Sequence, residues 1–290
     1  MFVHEFMRNA LVAGTFVGAA CGLVGYFVVL RAQVFAGDAL SHVAFTGALA
    51  AAALGVDVRI GLFVATIVVA VGMGGLGDRA RADDVEIGTV FAWILGLGVL
   101  FLAIFTTSGS GGNGTAAVRV LFGSIYGLSG TDVAIAAAVS AAALAVILAV
   151  ARPLAFASLD PDVAAAQGVP VRLLGLGFLA VLGAVAAEAT QAVGALLLLV
   201  LLAAPAAAAL RLTRSPYTGL ALSTAFGIGA VWAGLTLSDL ESRLPPSTAI
   251  VSVATLLFVV AAAVSARRAA GAARTAAAPS RAARRPVLRR

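Results

Sequence analysis

The sequence predicts an all-α, polytopic transmembrane protein, on three observations. Of its 290 residues, 62% are hydrophobic and only 11% are charged, against about a quarter charged in an ordinary soluble domain. The apolar residues gather into runs near the length, about 20 residues, that one helix needs to cross a bilayer core. Those runs are continuous, whereas the strands of a membrane barrel would alternate in polarity. A soluble enzyme or a nucleic-acid-binding domain is thereby excluded, because too little polar surface exists to keep such a globule in water.

Apolar runs fall at 9–30, 37–54, 60–77, 87–106, 133–151, 172–187, 190–204, 217–237 and 247–265. They are rich in Ala, Gly, Leu and Val, the residues that let membrane helices pack closely. In the first, Gly18-Ala19-Ala20-Cys21 superficially resembles a lipoprotein cleavage site. The apolar run continues through residues 22–30, whereas an export signal turns polar after cleavage, so an uncleaved first helix is expected. Residues 108–114 (SGSGGNG) read as a flexible linker. Without Gly-Lys-Ser/Thr, their glycines carry no phosphate-loop signal. Between 172 and 210 the run is interrupted by Glu188, Thr190 and Gln191, and Pro205 is expected to break its end. That stretch holds either two crossings, or one crossing followed by a short helix.

The net charge of +6 belongs to the C-terminal segment. Residues 266–290 contain eight Arg and no acid, so removing them leaves the rest of the chain at −2. The expected organisation is a transmembrane domain, 1–265, and a disordered Arg-rich cytoplasmic tail, 266–290, lying against anionic lipid. All 19 basic residues are Arg, which excludes a P-loop lysine, a Schiff-base lysine and a Ser/Lys dyad. A single Cys excludes a disulfide within the chain and a CxxC site. Placing the tail, Arg211 and Arg214 in the cytoplasm satisfies the positive-inside rule. Eight crossings, the preferred count, then put both chain ends inside. Segments 31–37, 77–86, 152–172 and 238–247 would be external, with 55–59, 107–132 and the stretch around 202–216 cytoplasmic. Nine crossings would put the N-terminus outside.

Ionisable groups inside apolar segments are expensive and therefore informative. Asp38 and His42 stand four apart at the expected outer start of the second helix, a spacing that puts both side chains on one face. A carboxylate oxygen and an imidazole nitrogen suit Mn²⁺, Fe²⁺ or Zn²⁺; the alternative is that Asp38 simply caps the helix. Glu188 either lines an exit path on the cytoplasmic half or marks a helix end, the latter being favoured. Cys21 is a soft potential ligand or a packing residue, and His4 is expected to be solvated. Asp78, Asp83, Asp84 and Glu86, with Arg79 and Arg81, form a solvated turn, or a loop that contacts a partner or collects cations. Pro205 and Pro216 bracket an Ala-rich stretch ending in Arg211 and Arg214, read as a stiff helix at the cytoplasmic face or a loop meeting lipid headgroups.

At these residues the sequence resembles the permease subunits of bacterial manganese/zinc/iron ABC importers. The resemblance is carried by GLVGYFVVLR and FAGDALSH within 22–42, EIGTVFAWILGLGVLFLA at 86–103, LFGSIYGLSGTDV at 121–133 and LDPDVAAAQGVPVR at 159–172. QAVGALLLLVLLAAPAAAALRL at 191–212 and LPPSTAIVSVATLLF at 244–258 complete it. It implies an all-α permease of about eight spanning helices with a short coupling helix, in the plasma membrane, forming a homodimer. It also implies an extracytoplasmic metal-binding protein that delivers the ion and a cytoplasmic ABC ATPase subunit that drives transport. The chain would not be an enzyme and would hold no permanent cofactor, its metal ion being cargo. Asp38 and His42 match the family's metal-coordinating pair, and the stretch around Pro205, Arg211 and Arg214 its coupling helix. The family often has Pro-Gly after its histidine, where this chain has Phe45-Thr46-Gly47, and Ser-Gly-Pro before the last helix, where this chain has Pro246-Ser247-Thr248. Two alternatives are weighed. A permease for a chelated metal or vitamin, of the siderophore/cobalamin type, would favour a wide apolar cavity without a carboxylate. An intramembrane hydrolase would have only His42 as a membrane base, with Ser41 adjoining it in sequence instead of facing it.

Overall fold

The computed structural model describes residues 5–76, 84–107, 123–241 and 243–277. In chain order they form α1 (Glu5–Leu30), α2 (Val34–Leu54), α3 (Val58–Leu76), α4 (Asp84–Thr107) and a 3-10 turn (Ile125–Gly127). There follow α5 (Gly130–Leu159), α6 (Pro161–Ala166), α7 (Val171–Val193), α8 (Ala195–Leu212), α9 (Pro216–Leu240) and α10 (Pro246–Ala277). No strand occurs among the described residues. Eight helices, all except α6 and α8, are long and apolar enough to cross a membrane, as the apolar runs predict.

The bundle is organised around α1, which packs on α5, α7, α8 and α9. Its seam with α9 is built from glycines four residues apart: Gly14 lies against Val231, Gly18 against Gly227 and Gly22 against Ser223. That spacing keeps the three on one helix face, and their missing side chains let the two backbones approach. The Ser223 hydroxyl donates to the Gly22 carbonyl, and Trp232 Nε1 donates to Thr15 Oγ1 at 2.8 Å.

This pairing is antiparallel and fixes which helix ends share a face. At the start of α1, Phe6 packs edge-on against Tyr126 with ring centroids 5.6 Å apart. The Tyr126 hydroxyl in turn reaches the Leu235 carbonyl, near the end of α9, at 3.5 Å. The corner between α7 and α8 joins the same end, where the Ser124 N–H donates to the Gln191 carbonyl at 3.1 Å. The start of α9 lies at the opposite end, where Gly219 packs on Tyr26 late in α1. Hence α8 leads from that corner to the face where α9 starts, with its eighth residue, Leu202, already level with Gly25 late in α1. Its 18 residues span about 27 Å, close to the thickness of a bilayer core.

The stretch 172–210 is therefore two helices meeting at Gly194, whose φ of 98° suits a residue without a Cβ. The expectation that Pro205 ends a helix is corrected: it sits inside α8. Neighbouring helices tolerate such a proline by enclosing the backbone it disrupts, and Ala206, Ala208 and Ala209 beside it are fully buried. With α8 traversing the bundle, the two described ends of the chain lie on opposite faces, which replaces the preference for eight crossings with both ends together.

Among the described residues, Arg152, Arg172, Arg211, Arg214, Arg267 and Arg268 lie toward one face, while Arg8, Arg59 and Arg243 lie toward the other. The positive-inside rule makes the first face cytoplasmic. Residues 31–37 and 152–172, expected outside, thus belong to the cytoplasmic half, as do the end of α3 and the start of α4. Residues 55–59 and the described part of 107–132 are extracytoplasmic. Residues 238–247 keep their expected external side, and the α8–α9 turn its cytoplasmic one. α10 continues through Arg267 and Arg268 to Ala277, into the stretch expected to be disordered, since Ala is the strongest helix former.

Candidate metal site

The start of α2 is sunk into the bundle. The turn between α1 and α2 contains Arg31 and Gln33, only 3% and 2% exposed. Arg31 Nε donates to Gln33 Oε1 at 3.0 Å, and the guanidinium carbon stands 5.3 Å from the centre of the Phe178 ring. Helix α2 begins at Val34 with Gln33 in the N-cap position. Asp38 is therefore the fifth helical residue, and the capping role considered from the sequence does not apply to it. Gly37 packs against the Leu202 side chain, and Leu202 is the eighth of the eighteen residues of α8. Leu202 also lies against Gly25, late in the 26 residues of α1, so Asp38 stands inside the bundle toward its cytoplasmic end, instead of at its outer edge.

His42 follows one turn later, its ring centroid 5.1 Å from that of Phe91 on α4, with the planes at 66°. Both Asp38 and His42 are half-buried. The Ser41 hydroxyl between them donates to the Asp38 carbonyl at 2.7 Å, so it serves the helix backbone, which argues against a hydrolytic serine. Asp38 and His42 offer one oxygen and one nitrogen ligand type on one helix. Among the described residues, no group of three or more His, Cys, Asp or Glu converges to hold an ion. Cys21 is fully buried among apolar side chains.

Of the other sequence-marked residues, Arg211 and Arg214 come together at the exposed cytoplasmic turn, while Pro205 lies buried inside α8. Six residues separate it from Arg211, about 9 Å of helix. Arg211 stacks over Phe258 of α10, its guanidinium carbon 5.2 Å from the ring centre. The turn is held by the Thr213 and Thr218 hydroxyls, 2.8 Å apart, and by the Ser215 N–H donating to Thr213 Oγ1 at 3.2 Å. His4, Asp78, Arg79, Arg81, Asp83 and the linker 108–114 lie outside the described residues.

The sequence did not single out a polar cavity at the extracytoplasmic end. It has a volume of about 420 Å³, and its walls include Asp57, Arg59, Ser124, Asp132 and Gln191. Arg59 Nη2 donates both to Asp132 Oδ1 at 2.8 Å and to Gln191 Oε1 at 3.0 Å, tying α3 to α5 and α7. Ser129 and Asp132 form a reciprocal capping box at the start of α5, a local signal readable in Ser129-Gly130-Thr131-Asp132. The partners of Arg59 are 73 and 132 positions away, and no local pattern announces them. Glu188, favoured as a helix-end residue, is instead inside α7, 2% exposed and on its extracytoplasmic half.

The sequence profile of the ABC 3 transport family matches residues 3–265. The chain belongs to the ABC 3 transport family. This ABC 3 chain is 30% identical to the manganese transport system membrane protein MntC of Halalkalibacterium halodurans, over 89% of its own length and 87% of that protein's. It is 31% identical to the chelated iron transport system membrane protein YfeD of Yersinia pestis, over 90% and 86% of the two chains. Among solved structures, it superposes on PsaBC from Streptococcus pneumoniae in complex with Fab with a TM-score of 0.77 and 29% identity, covering 89% of this chain and 91% of that one.

Proposed function

We propose that this ABC 3 chain is the multi-pass plasma-membrane permease subunit of an ATP-driven importer of divalent first-row metal ions, with Asp38 and His42 as ligands on the ion's path. The observation that carries the assignment of the pair is that Asp38 is half-buried inside α2 with no capping role, His42 following one turn on: a carboxylate within an apolar helix is costly unless it serves a cation. His42, one turn on, adds a nitrogen donor, and oxygen with nitrogen suits Mn²⁺, Fe²⁺ or Zn²⁺. A bare ion is favoured over a chelate because a chelate already fills the ion's coordination shell and needs no carboxylate from the protein.

Two donors do not complete a tetrahedral or octahedral shell, so water, backbone carbonyls or a second copy of the chain supply the rest. ATP hydrolysis belongs to a separate cytoplasmic subunit, which docks at the turn carrying Arg211 and Arg214, and an extracytoplasmic binding protein delivers the ion. Manganese uptake by Asp38→Asn is the test. Asparagine keeps the shape of the side chain and removes its charge; uptake should be lost, and wild-type uptake would overturn the assignment.

A further inference from the structure

Glu188 has a buried oxygen, Oε2, with no hydrogen-bond partner, an expensive arrangement for a carboxylate. It lies one turn deeper than Gln191 on the same face of α7, since residues three apart on a helix are neighbours. Above it, Gln191 Oε1 and Asp132 Oδ1 converge on one nitrogen, Arg59 Nη2. The other Asp132 oxygen accepts from the Ser129 N–H at 2.9 Å and the Ser129 hydroxyl at 2.8 Å, so Oδ1 is presented in a fixed direction. The charged groups that act on Glu188 are Arg59 and Asp132. Asp57, also in the cavity wall, is engaged elsewhere: its Oδ1 accepts from the main-chain N–H of Arg59 at 2.8 Å, at the start of α3.

We propose that Asp132, Gln191 and Glu188 form an access site for the divalent cargo at the extracytoplasmic end of the bundle, and that Arg59 fills it as a stand-in cation until the ion displaces it. Two oxygens already meet at a cationic nitrogen, and the unpaired Glu188 oxygen lies below, toward the interior. An all-oxygen donor set suits a hard ion such as Mn²⁺. The ion would then pass from this site toward Asp38 and His42, nearer the cytoplasmic end. The inference rests on the metal-import reading above and adds to it a second, outer station.

The test is Mn²⁺ titration of the purified full chain in lipid nanodiscs, followed by the electron paramagnetic resonance signal of unbound Mn²⁺, in an Asp38→Ala, His42→Ala background that silences the inner pair. One Mn²⁺ should still bind. Glu188→Gln should weaken it by about tenfold or more, and Arg59→Gln should tighten it by a similar factor, because the competing charge has gone. No binding in the background chain, unchanged binding with Glu188→Gln, or weaker binding with Arg59→Gln would each overturn the proposal. Should Glu188→Gln fail to insert, Asp132→Asn reads the same loss. Normal uptake by Asp38→Asn would defeat the inner assignment, whereas Asp38-dependent uptake with an unaltered outer titration would defeat the outer site alone.

Discussion

Gly25 of α1 lies directly against the main-chain carbonyl of Leu202 in α8, with no room for a Cβ between them. Here the first helix, late in its course, meets the helix that leads into α9, and Gly37 of α2 packs on the same Leu202. Gly25→Ala should destabilise the bundle by about 1–3 kcal/mol, the usual cost of overpacking a close contact. Gly72, with nothing near its Cβ position, is the control: its alanine variant should be neutral or slightly stabilised. Thermal unfolding in detergent compares the two.

The opposite placement of the chain ends is open to a labelling experiment. With Cys21 replaced by Ala, single cysteines at Glu5 and Glu241 should react with an impermeant maleimide applied from outside. A cysteine at Ser215 should react only after the membrane is permeabilised. Labelling of all three from the same side would contradict the traversing path of α8.

Arg211 and Arg214 sit on an exposed turn held by threonine and serine hydrogen bonds and followed at once by Pro216, a rigid element suited to pass on a partner's motion. Arg211→Glu with Arg214→Glu should reduce co-purification of the ATPase subunit and leave Mn²⁺ binding to the permease unchanged. Normal co-purification would remove this turn from the coupling role.

Residues 266–290 concentrate eight Arg, each worth about 1 kcal/mol beside an anionic surface. Truncation after Arg268 should leave metal uptake nearly intact in protein that inserts normally. Loss of uptake by correctly inserted protein would give the segment a mechanistic role.

By itself, the sequence determined the all-α membrane fold, the eight long apolar helices and the one-turn spacing of Asp38 and His42 along a single helix, because each rests on local composition or spacing. Burying an apolar run in lipid or placing two side chains four apart on a helix needs no distant partner. Tertiary structure alone decided the rest. Pro205 reads locally as a breaker, yet the helices packed around α8 enclose it, and that packing turns the chain end over to the other face. Asp38 reads as a possible cap at the outer membrane edge, yet the buried α1–α2 turn and the contact of Gly37 with Leu202 place it inside the bundle, past the cap and toward the cytoplasmic end. The cavity at Arg59 draws Asp132 and Gln191 from other helices. Such convergence is a property of how faces pack, and no window of residues along one chain contains it.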